Sequence, residues 1–327
     1  SFAKFRLEGP DAEMVLNRIC ANDIAVEPGR LVYTQWLNER GGIEADLTVT
    51  RLSDDAYLIV TGGPSQVRDF HWLKRHIPDD ARCLATDVTS AYAVLGVQGP
   101  RSRDLLQSLT TADMSNDGFA FGASRDIELA YGYVRASRIT YVGELGWELY
   151  IRTEFATGIY DALIEGGAEF GLKHAGMHAM NSLRMEKAYR HWGHDITDAE
   201  NPLEAGLGFA VAWDKPGGFT GREALLEIRQ AGVTQRMVQF RLNDPQAMLY
   251  HNEPVYRDGV IVGYLTSGMY GHTLGGAIGL GYVENPDGVD AAFVNSGTYE
   301  IEVVGRRIAA TASLRPLYDP KSEREKG

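Results

Sequence analysis

Two acidic side chains near the start of a predicted strand are the first residues whose types and spacing suit chemistry. In the stretch NERGGIEADLTVTRL, Gly41 and Gly42 mark a turn, and the alternating apolar and β-branched residues after it predict a strand. Glu44 and Asp46 lie two residues apart on that strand, so both point to one face. Because acids gain little from a pleated surface, the pair is either a solvated edge or a carboxylate directed at a group that carries or loses a proton.

A second stretch, YVGELGWELY, places Glu148 and Tyr150 on one face of another predicted strand. Taken alone, this stretch is better explained as a partly exposed strand without a site. Further along, NSLRMEKAYRHWGHD belongs to a helix predicted over 175–193, in which Arg184 lies between Leu183 and Met185. Arg184 is either one member of a helix-surface pair or a partly buried cation matched to an anion.

Composition excludes several classes of function. The chain of 327 residues has a formal net charge of -12, which argues against nucleic acid, because phosphates need a Lys/Arg surface. No apolar run reaches the length of a membrane helix. The sequence lacks the glycine-rich loops of nucleotide binders and the His and Cys spacings of metal sites, so neither is predicted. Its two cysteines, Cys20 and Cys83, predict buried thiols in a reducing compartment.

A weak internal repeat indicates the architecture. The stretch at 5–19 resembles the stretch at 94–109, and each reads as a strand, then Gly-Pro, then a helix. A hairpin and an amphipathic helix follow each copy, which predicts an α+β fold with two pseudo-repeated split-βαβ lobes. The short strands after residue 235 predict a C-terminal β-barrel, with a hairpin turn in RDGV at 257–260.

The predicted domains are therefore a first lobe at 1–90, a second lobe with a helical connection at 91–234, a barrel at 235–320 and a frayed, charged tail at 321–327. When the hairpins of the two lobes are aligned on their turns, Asp46 falls opposite Glu148. That alignment singles out Asp46 and leaves Glu44 as a solvated neighbour. A crevice between lobes is a favoured ligand site.

Several ordered motifs carry a family resemblance. GPDAEMVLNRICANDI, YTQWLNERGGIEADLTVTRL, YVGELGWELYI, NSLRMEKAYRHWGHDI and NPLEAGLGFAVAWDK resemble the glycine-cleavage T-protein (aminomethyltransferase) superfamily over essentially the whole chain. LRMEKAYRHWGHD is more similar to the folate-binding half of dimethylglycine and sarcosine dehydrogenases and oxidases. In those proteins a flavin-binding amine oxidase domain comes first, so we expect this chain to be a fragment. FAD is then expected only on an upstream domain or a partner.

The resemblance implies a three-domain cloverleaf around a central tetrahydrofolate channel. Glu148 matches the pterin-binding Glu, and Tyr33 and Tyr150 match aromatic positions of the pocket wall. Phe209 stands where T-proteins usually have Trp, and Arg184 is taken as a further folate-binding residue.

Two departures from the T-protein pattern bear on function. T-proteins carry Asp-Asp where this chain has Ala45-Asp46, and the first Asp of that pair is the usual catalytic candidate. The Arg that meets the folate tail in T-proteins is Met180 here. Both changes favour the amine-demethylating branch of the superfamily.

We therefore expect a tetrahydrofolate-dependent transferase that captures the methylene of an oxidised N-methyl amine, or its iminium, as 5,10-methylenetetrahydrofolate. Asp46 is the predicted catalytic residue, acting as a base or as a stabiliser of the cationic intermediate. The expected partner is a flavin-dependent amine oxidase domain or subunit, with no nucleic acid or membrane, in bacterial cytoplasm or the mitochondrial matrix. The alternatives are a stand-alone aminomethyl- or methyltransferase and a non-catalytic folate-binding module, which Ala45 keeps open.

Overall fold

The first lobe is a five-stranded antiparallel sheet with two helices. The computed structural model describes residues 2–327, and the bounds of this lobe are β1 Phe2–Glu8, α1 Ala12–Ile19, β2 Leu31–Leu37, β3 Ile43–Ser53, β4 Ala56–Gly62, α2 Gln66–Arg75 and β5 Leu84–Asp87. The strand order is β2-β3-β4-β1-β5. One sheet face and the apolar stripes of α1 and α2 form the core, which includes Phe5, Leu47, Trp36 and Trp72.

The second lobe repeats this arrangement with four strands. Its elements are β6 Tyr92–Gln98, α3 Ser102–Leu109, β7 Ser124–Leu129, β8 Gly132–Ser137, β9 Gly146–Arg152 and α4 Ala156–Gly167. The strand order is β6-β9-β8-β7, and α3 packs against α4 over the apolar core. In each lobe, three strands that follow one another in the chain pair in order, and the last of them pairs with the strand that precedes the first helix. This shared strand order confirms the predicted repeat.

The strand order of the two lobes shows that Asp46 and Glu148 are not at equivalent positions. Each lobe has a three-stranded meander where a hairpin was predicted, because β4 and β7 were not anticipated. With β2-β3-β4-β1 matched to β7-β8-β9-β6, the strand of Glu148 corresponds to β4, and the register makes Leu58 its counterpart. Asp46 corresponds to Tyr133 on β8. The predicted pairing of Asp46 with Glu148 was therefore wrong, since the loop before β9 resembles the turn before β3 in sequence only.

A closed six-stranded barrel follows, which confirms the predicted fold class. Its elements are β10 Gln235–Leu242, β11 Pro254–Arg257, β12 Val260–Gly271, β13 Gly276–Glu284, α7 Ala291–Ser296, β14 Tyr299–Val303 and β15 Arg306–Ser313, in the order β10-β13-β12-β11-β14-β15. The β11–β12 turn is Asp258-Gly259 with φ of 52° and 84°. Two successive positive φ values fit the twist of a two-residue hairpin turn, as the RDGV motif predicted.

The first helix of the connection between the lobes and the barrel is shorter than predicted. The connection contains α5 (Met177–Glu186) and α6 (Arg222–Ala231). The helix predicted to reach residue 193 ends at Glu186, because Ala188 adopts a left-handed φ of 55° and redirects the chain. None of the helices within residues 2–327 combines the length and apolar character needed to cross a membrane.

The C-terminal tail is docked, so the prediction that it frays was wrong. Its short helix α8 (Glu323–Lys326) buries Glu325 to 5% exposure. Glu325 accepts a hydrogen bond from Tyr189 and lies 3.7 Å from Nζ of Lys187, which is itself buried. Opposite charge on the body of the protein, which the composition of the tail does not reveal, holds this segment in place.

Candidate functional site

Strand β3 presents Asp46 to the space between the two lobes and Ala45 to the core. Ala45 is 3% exposed and belongs to the apolar core of the first lobe, where its strand partner is Trp36. Asp46 pairs with Gln35 on the opposite face, which also carries Tyr33. A carboxylate at position 45 on this backbone would therefore point into the core, so Ala45 does not deprive the cleft of an acid.

The carboxyl of Asp46 lies in a partly buried environment. Its Oδ1 accepts a hydrogen bond of 2.9 Å from Nε2 of Gln35, and the hydroxyl of Tyr33 also faces the carboxylate. Burial raises the pKa of Asp46 to about 6, although these two donors and the positive charge of Arg190 act in the opposite direction. An acid with a pKa near 6 is able both to accept and to return a proton close to neutral pH.

Gln35 adds an unused acceptor to the same place. The residue is fully buried, and its Oε1 has no hydrogen-bond partner among the described residues. Buried carbonyl oxygens are normally satisfied, so an orphan beside Asp46 suggests that a donor from a ligand or a water completes the site.

An aromatic pair adjoins Asp46. Tyr33 and Phe209 stack with ring centroids 6.1 Å apart, and Phe209 is 76% exposed. Phe209 lies on a turn of 3₁₀ helix that packs against β2. A large exposed aromatic ring beside a partly buried acid is suited to cover a flat, apolar part of a ligand.

Glu148 and Tyr150 form the opposite wall. The Tyr150 hydroxyl donates a 2.6 Å hydrogen bond to Oε2 of Glu148, and burial raises the pKa of Glu148 despite this donor. Tyr150 packs against Leu58 and Val60 of β4, so the sheet face of each lobe lies toward the other. We call the space between the faces that carry Asp46 and Glu148 the inter-lobe cleft.

Arg184 does not reach the inter-lobe cleft. It is 2% exposed, and its Nη1 forms a 2.5 Å ion pair with Asp195, which is also buried. The remaining hydrogen bonds of the guanidinium go to Asn181, Tyr189 and Ser267. The structure therefore contradicts Arg184 as a ligand-binding residue, because its donors already join α5 to the barrel.

Replacing Arg184 by Met is expected to lower the free energy of unfolding by about 3–5 kcal/mol, because the Asp195 carboxylate would remain buried and unpaired. Denaturant unfolding of both proteins measures the effect. The matched control is Arg306→Met, which removes an exposed ion pair with Asp244 and should cost less than about 1 kcal/mol. Equal effects of the two substitutions would contradict the structural role of Arg184.

Glu44 differs from its predicted role as a solvated neighbour. Its Oε2 pairs with Nη2 of Arg68 at 2.7 Å, and the Arg68 guanidinium lies 4.2 Å from the centroid of the Trp192 ring. The register of β3 against β2 shifts beside Glu44, so the regular alternation does not extend from Asp46 to Glu44, and the charge of Glu44 is matched by a residue of α2.

Sequence reasoning missed Gln35 and Arg190. The turn at Gly41-Gly42 did not reveal Gln35, because a register shift between Trp36 and Leu37 separates that turn from the pair of Gln35 and Asp46. Arg190 carried no sequence signal either, since its position depends on where α5 ends.

The chain combines two related α+β lobes, a C-terminal barrel and acidic residues on both walls of the inter-lobe cleft. Comparison with known proteins identifies the family that shares this arrangement. The family model "GCVT N-terminal domain" matches residues 1–215, and "Glycine cleavage T-protein C-terminal barrel domain" matches residues 235–319. The chain belongs to this family of aminomethyltransferase domains, as its motifs predicted.

Curated relatives support the same family. The chain is 45% identical over 326 residues to 4-methylaminobutanoate oxidase (formaldehyde-forming) of Paenarthrobacter nicotinovorans, covering 100% of this chain and 39% of the relative. It is 37% identical to human mitochondrial sarcosine dehydrogenase, covering 100% of this chain and 37% of that protein. The chain thus spans about two fifths of the length of these relatives.

Among solved structures, the aminomethyltransferase T of the glycine cleavage system from Bartonella henselae superposes with a TM-score of 0.85 at 25% identity. The match covers 98% of this chain and 84% of that one, so it includes both lobes and the barrel.

Proposed function

We propose that this chain is the tetrahydrofolate-dependent transferase part of an N-methyl amine oxidase or dehydrogenase. It captures the methylene of an oxidised N-methyl amine and forms 5,10-methylenetetrahydrofolate. The observation that carries the proposal is the placement of Asp46: its carboxyl faces the inter-lobe cleft, the Gln35 amide donates to it, the Tyr33 hydroxyl lies beside it, and burial raises its pKa to about 6.

The residues of the cleft fit a folate as the acceptor substrate. Glu148 offers a carboxylate whose Oε1 makes no hydrogen bond within the described residues, and a carboxylate suits the two N–H donors of a pterin edge. Tyr33 and Phe209 offer aromatic faces, and the orphan Oε1 of Gln35 offers an acceptor next to Asp46. Polar groups at both walls and aromatic rings between solvent and the acid match an elongated ligand with a polar head.

In this proposal the protein acts mainly by positioning. Glu148 and the aromatic pair hold the acceptor, and Asp46 removes the proton that the first acceptor nitrogen loses when it forms a bond to the methylene carbon. Asp46 returns that proton to the amine nitrogen of the donor, and the amine leaves as the second acceptor nitrogen forms its bond to the same carbon and releases its own proton to solvent. When ionised, Asp46 also stabilises positive charge on the amine donor. Gln35 and Tyr33 fix the orientation of the carboxylate.

The non-catalytic alternative loses its main support. It rested on the absence of an acid at position 45, and that position faces the core. The stand-alone aminomethyltransferase remains a second candidate, favoured by the fold match over both lobes and the barrel. The two differ in the donor, which is an aminomethyl group on a lipoyl carrier in one and the product of a flavin enzyme in the other.

The names of the relatives support a flavin-dependent partner domain or subunit. They are an oxidase of a 4-methylamino acid and a dehydrogenase of sarcosine, each longer than this chain. A bacterial cytoplasm or a mitochondrial matrix suits the proposal, and the human relative is mitochondrial by name.

The test combines the purified chain, tetrahydrofolate and a flavin oxidase that acts on an N-methyl amino acid. We expect free formaldehyde to fall and 5,10-methylenetetrahydrofolate to form faster than by the uncatalysed condensation measured without the chain. Calorimetry should show binding of tetrahydrofolate to the chain alone. Absence of both binding and accelerated capture would refute the proposal, whereas transfer only from an aminomethyl-lipoyl carrier would favour the second candidate.

A further inference from the structure

Arg190 is held at the inter-lobe cleft by main-chain carbonyls. Its Nε donates to the carbonyl of Ala205 at 2.9 Å and its Nη1 to the carbonyl of Ala188 at 2.6 Å. The carbonyl of Arg190 itself accepts a hydrogen bond of 2.8 Å from Tyr141. Three contacts, two of them from other segments of the chain, therefore fix both the backbone and the guanidinium, so that ordering the side chain costs little entropy on binding a ligand.

The second terminal nitrogen of Arg190 is unused. Nη2 donates no hydrogen bond to the described residues, although the other two nitrogens of the guanidinium do. It lies against Gly206, where an added Cβ would be 2.8 Å away and where φ is 68°. Only glycine at position 206 accommodates both this backbone conformation and the guanidinium.

The segment of Gly206 also forms the cleft. Its continuation carries Phe209, which stacks on Tyr33, and Tyr33 packs in one apolar cluster with Ala205 and Leu207. The guanidinium of Arg190 lowers the pKa of Asp46, so the two side chains interact electrostatically. No nitrogen of Arg190 lies within 4.0 Å of a carboxylate oxygen in residues 2–327, so its charge lacks a direct counter-ion.

A partly buried arginine with a fixed guanidinium, a free nitrogen and no ion pair is matched to an anion from outside the chain. We propose that Arg190 binds the carboxylate of the one-carbon donor, and that this contact selects N-methyl amino acids over N-methyl amines that lack a carboxylate. The inference rests on the proposed function and assigns its donor subsite.

A carboxylate has two sources in such a reaction, the amine donor and the glutamate of the folate. The donor is favoured because Arg190 is near enough to lower the pKa of Asp46, the group that handles the proton at the reacting atoms, and both border the segment that carries Phe209. In an oxidised N-methyl amino acid the carboxylate lies a few bonds from the reacting carbon, and a donor with its carbon beside Asp46 places its carboxylate in the same region. The folate glutamate lies at the far end of the molecule from the pterin, which Glu148 is proposed to hold on the opposite wall.

The test measures capture by tetrahydrofolate-loaded chain from two donors, the formaldehyde adduct of sarcosine and that of N-methylethylamine, after subtraction of the uncatalysed rate. For Arg190→Met, assayed at about pH 8.5 so that Asp46 is ionised with or without the neighbouring positive charge, we expect KM for the sarcosine adduct to rise about 10- to 100-fold with little change in kcat, and no comparable rise for the adduct without a carboxylate. Arg190→Lys keeps the charge without the planar fork and should give an intermediate KM. Arg75→Met removes an exposed arginine elsewhere and should leave both donors unaffected.

The controls separate this inference from the function on which it rests. Calorimetry with tetrahydrofolate and with tetrahydropteroate, which lacks the glutamate, should give affinities that Arg190→Met leaves unchanged. An affinity loss confined to the glutamate-bearing folate would assign Arg190 to the folate tail and overturn the inference. Equal KM changes for the two donors would overturn it as well, because they indicate a general effect on the cleft. Failure of the unaltered chain to bind tetrahydrofolate would refute the proposed function itself.

Discussion

Asp46→Asn is expected to lower the rate of methylene capture by about 100-fold or more while leaving the affinity for tetrahydrofolate within about twofold. The amide keeps the size of the carboxyl and its contact with Gln35, but it accepts no proton and carries no charge. Binding depends mainly on Glu148 and the aromatic pair, so it should persist. Stopped-flow formation of 5,10-methylenetetrahydrofolate, with calorimetry for binding, measures both quantities.

The pH dependence gives a second signature of Asp46. Its pKa is raised to about 6 by burial, so the fraction of ionised base rises with pH through that value. Capture should therefore increase from pH 5 to 7 in the unaltered chain and lose this rise in Asp46→Asn. Because the folded state holds the proton more tightly than the unfolded state, ionisation of Asp46 costs stability above pH 6. The amide removes this cost, so Tm at pH 7.5 should not fall.

Glu44→Gln is the matched control for Asp46→Asn. It alters an acid two residues away on the same strand, whose charge is already paired with Arg68. We expect capture close to that of the unaltered chain. A capture rate that is unchanged in Asp46→Asn, or lowered equally in Glu44→Gln, would show that Asp46 handles no proton.

Glu148→Ala is expected to weaken tetrahydrofolate binding by about 100-fold, since it removes the acceptor for two N–H groups of the pterin. The substitution also leaves the buried Tyr150 hydroxyl without its acceptor, so we expect the free energy of unfolding to fall by about 1–3 kcal/mol, and binding is compared at a temperature where both proteins are folded. Calorimetry in the presence of a reductant measures the affinity, and saturating folate should restore most of the capture rate.

Glu154→Ala provides the control for Glu148→Ala, because it removes an exposed acid from the same lobe. Its affinity for tetrahydrofolate should match that of the unaltered chain. Equal affinity of Glu148→Ala and Glu154→Ala would defeat the assignment of Glu148 to the pterin.

Local sequence patterns were sufficient for much of the fold. Gly9 and Gly99 each end a strand with positive φ, and a helix begins three residues later in both lobes. This signal is short-range, so the repeat was visible without coordinates. The barrel was also predictable, because turn residues such as Asp258-Gly259 specify hairpins locally.

Local sequence did not predict which strand of one lobe is equivalent to which strand of the other. Glu148 resembles Asp46 in its local pattern, yet sheet order matches its strand to β4 and not to β3. Strand order depends on pairing between residues far apart in the chain, and a faint repeat does not encode which neighbour a strand chooses.

By itself, the sequence determined that Ala45 and Asp46 point to opposite faces of their strand, because the two-residue period of a strand is a local property. Which face meets the core was decided by the packing of α1 and α2, and that packing puts Ala45 inside and Asp46 in the cleft. The tertiary structure likewise decided which arginine, Arg184 or Arg190, lies at the cleft. The left-handed turn at Ala188 ends α5, buries Arg184 against Asp195 and leaves Arg190 at the cleft, because only long-range contacts fix where that helix stops.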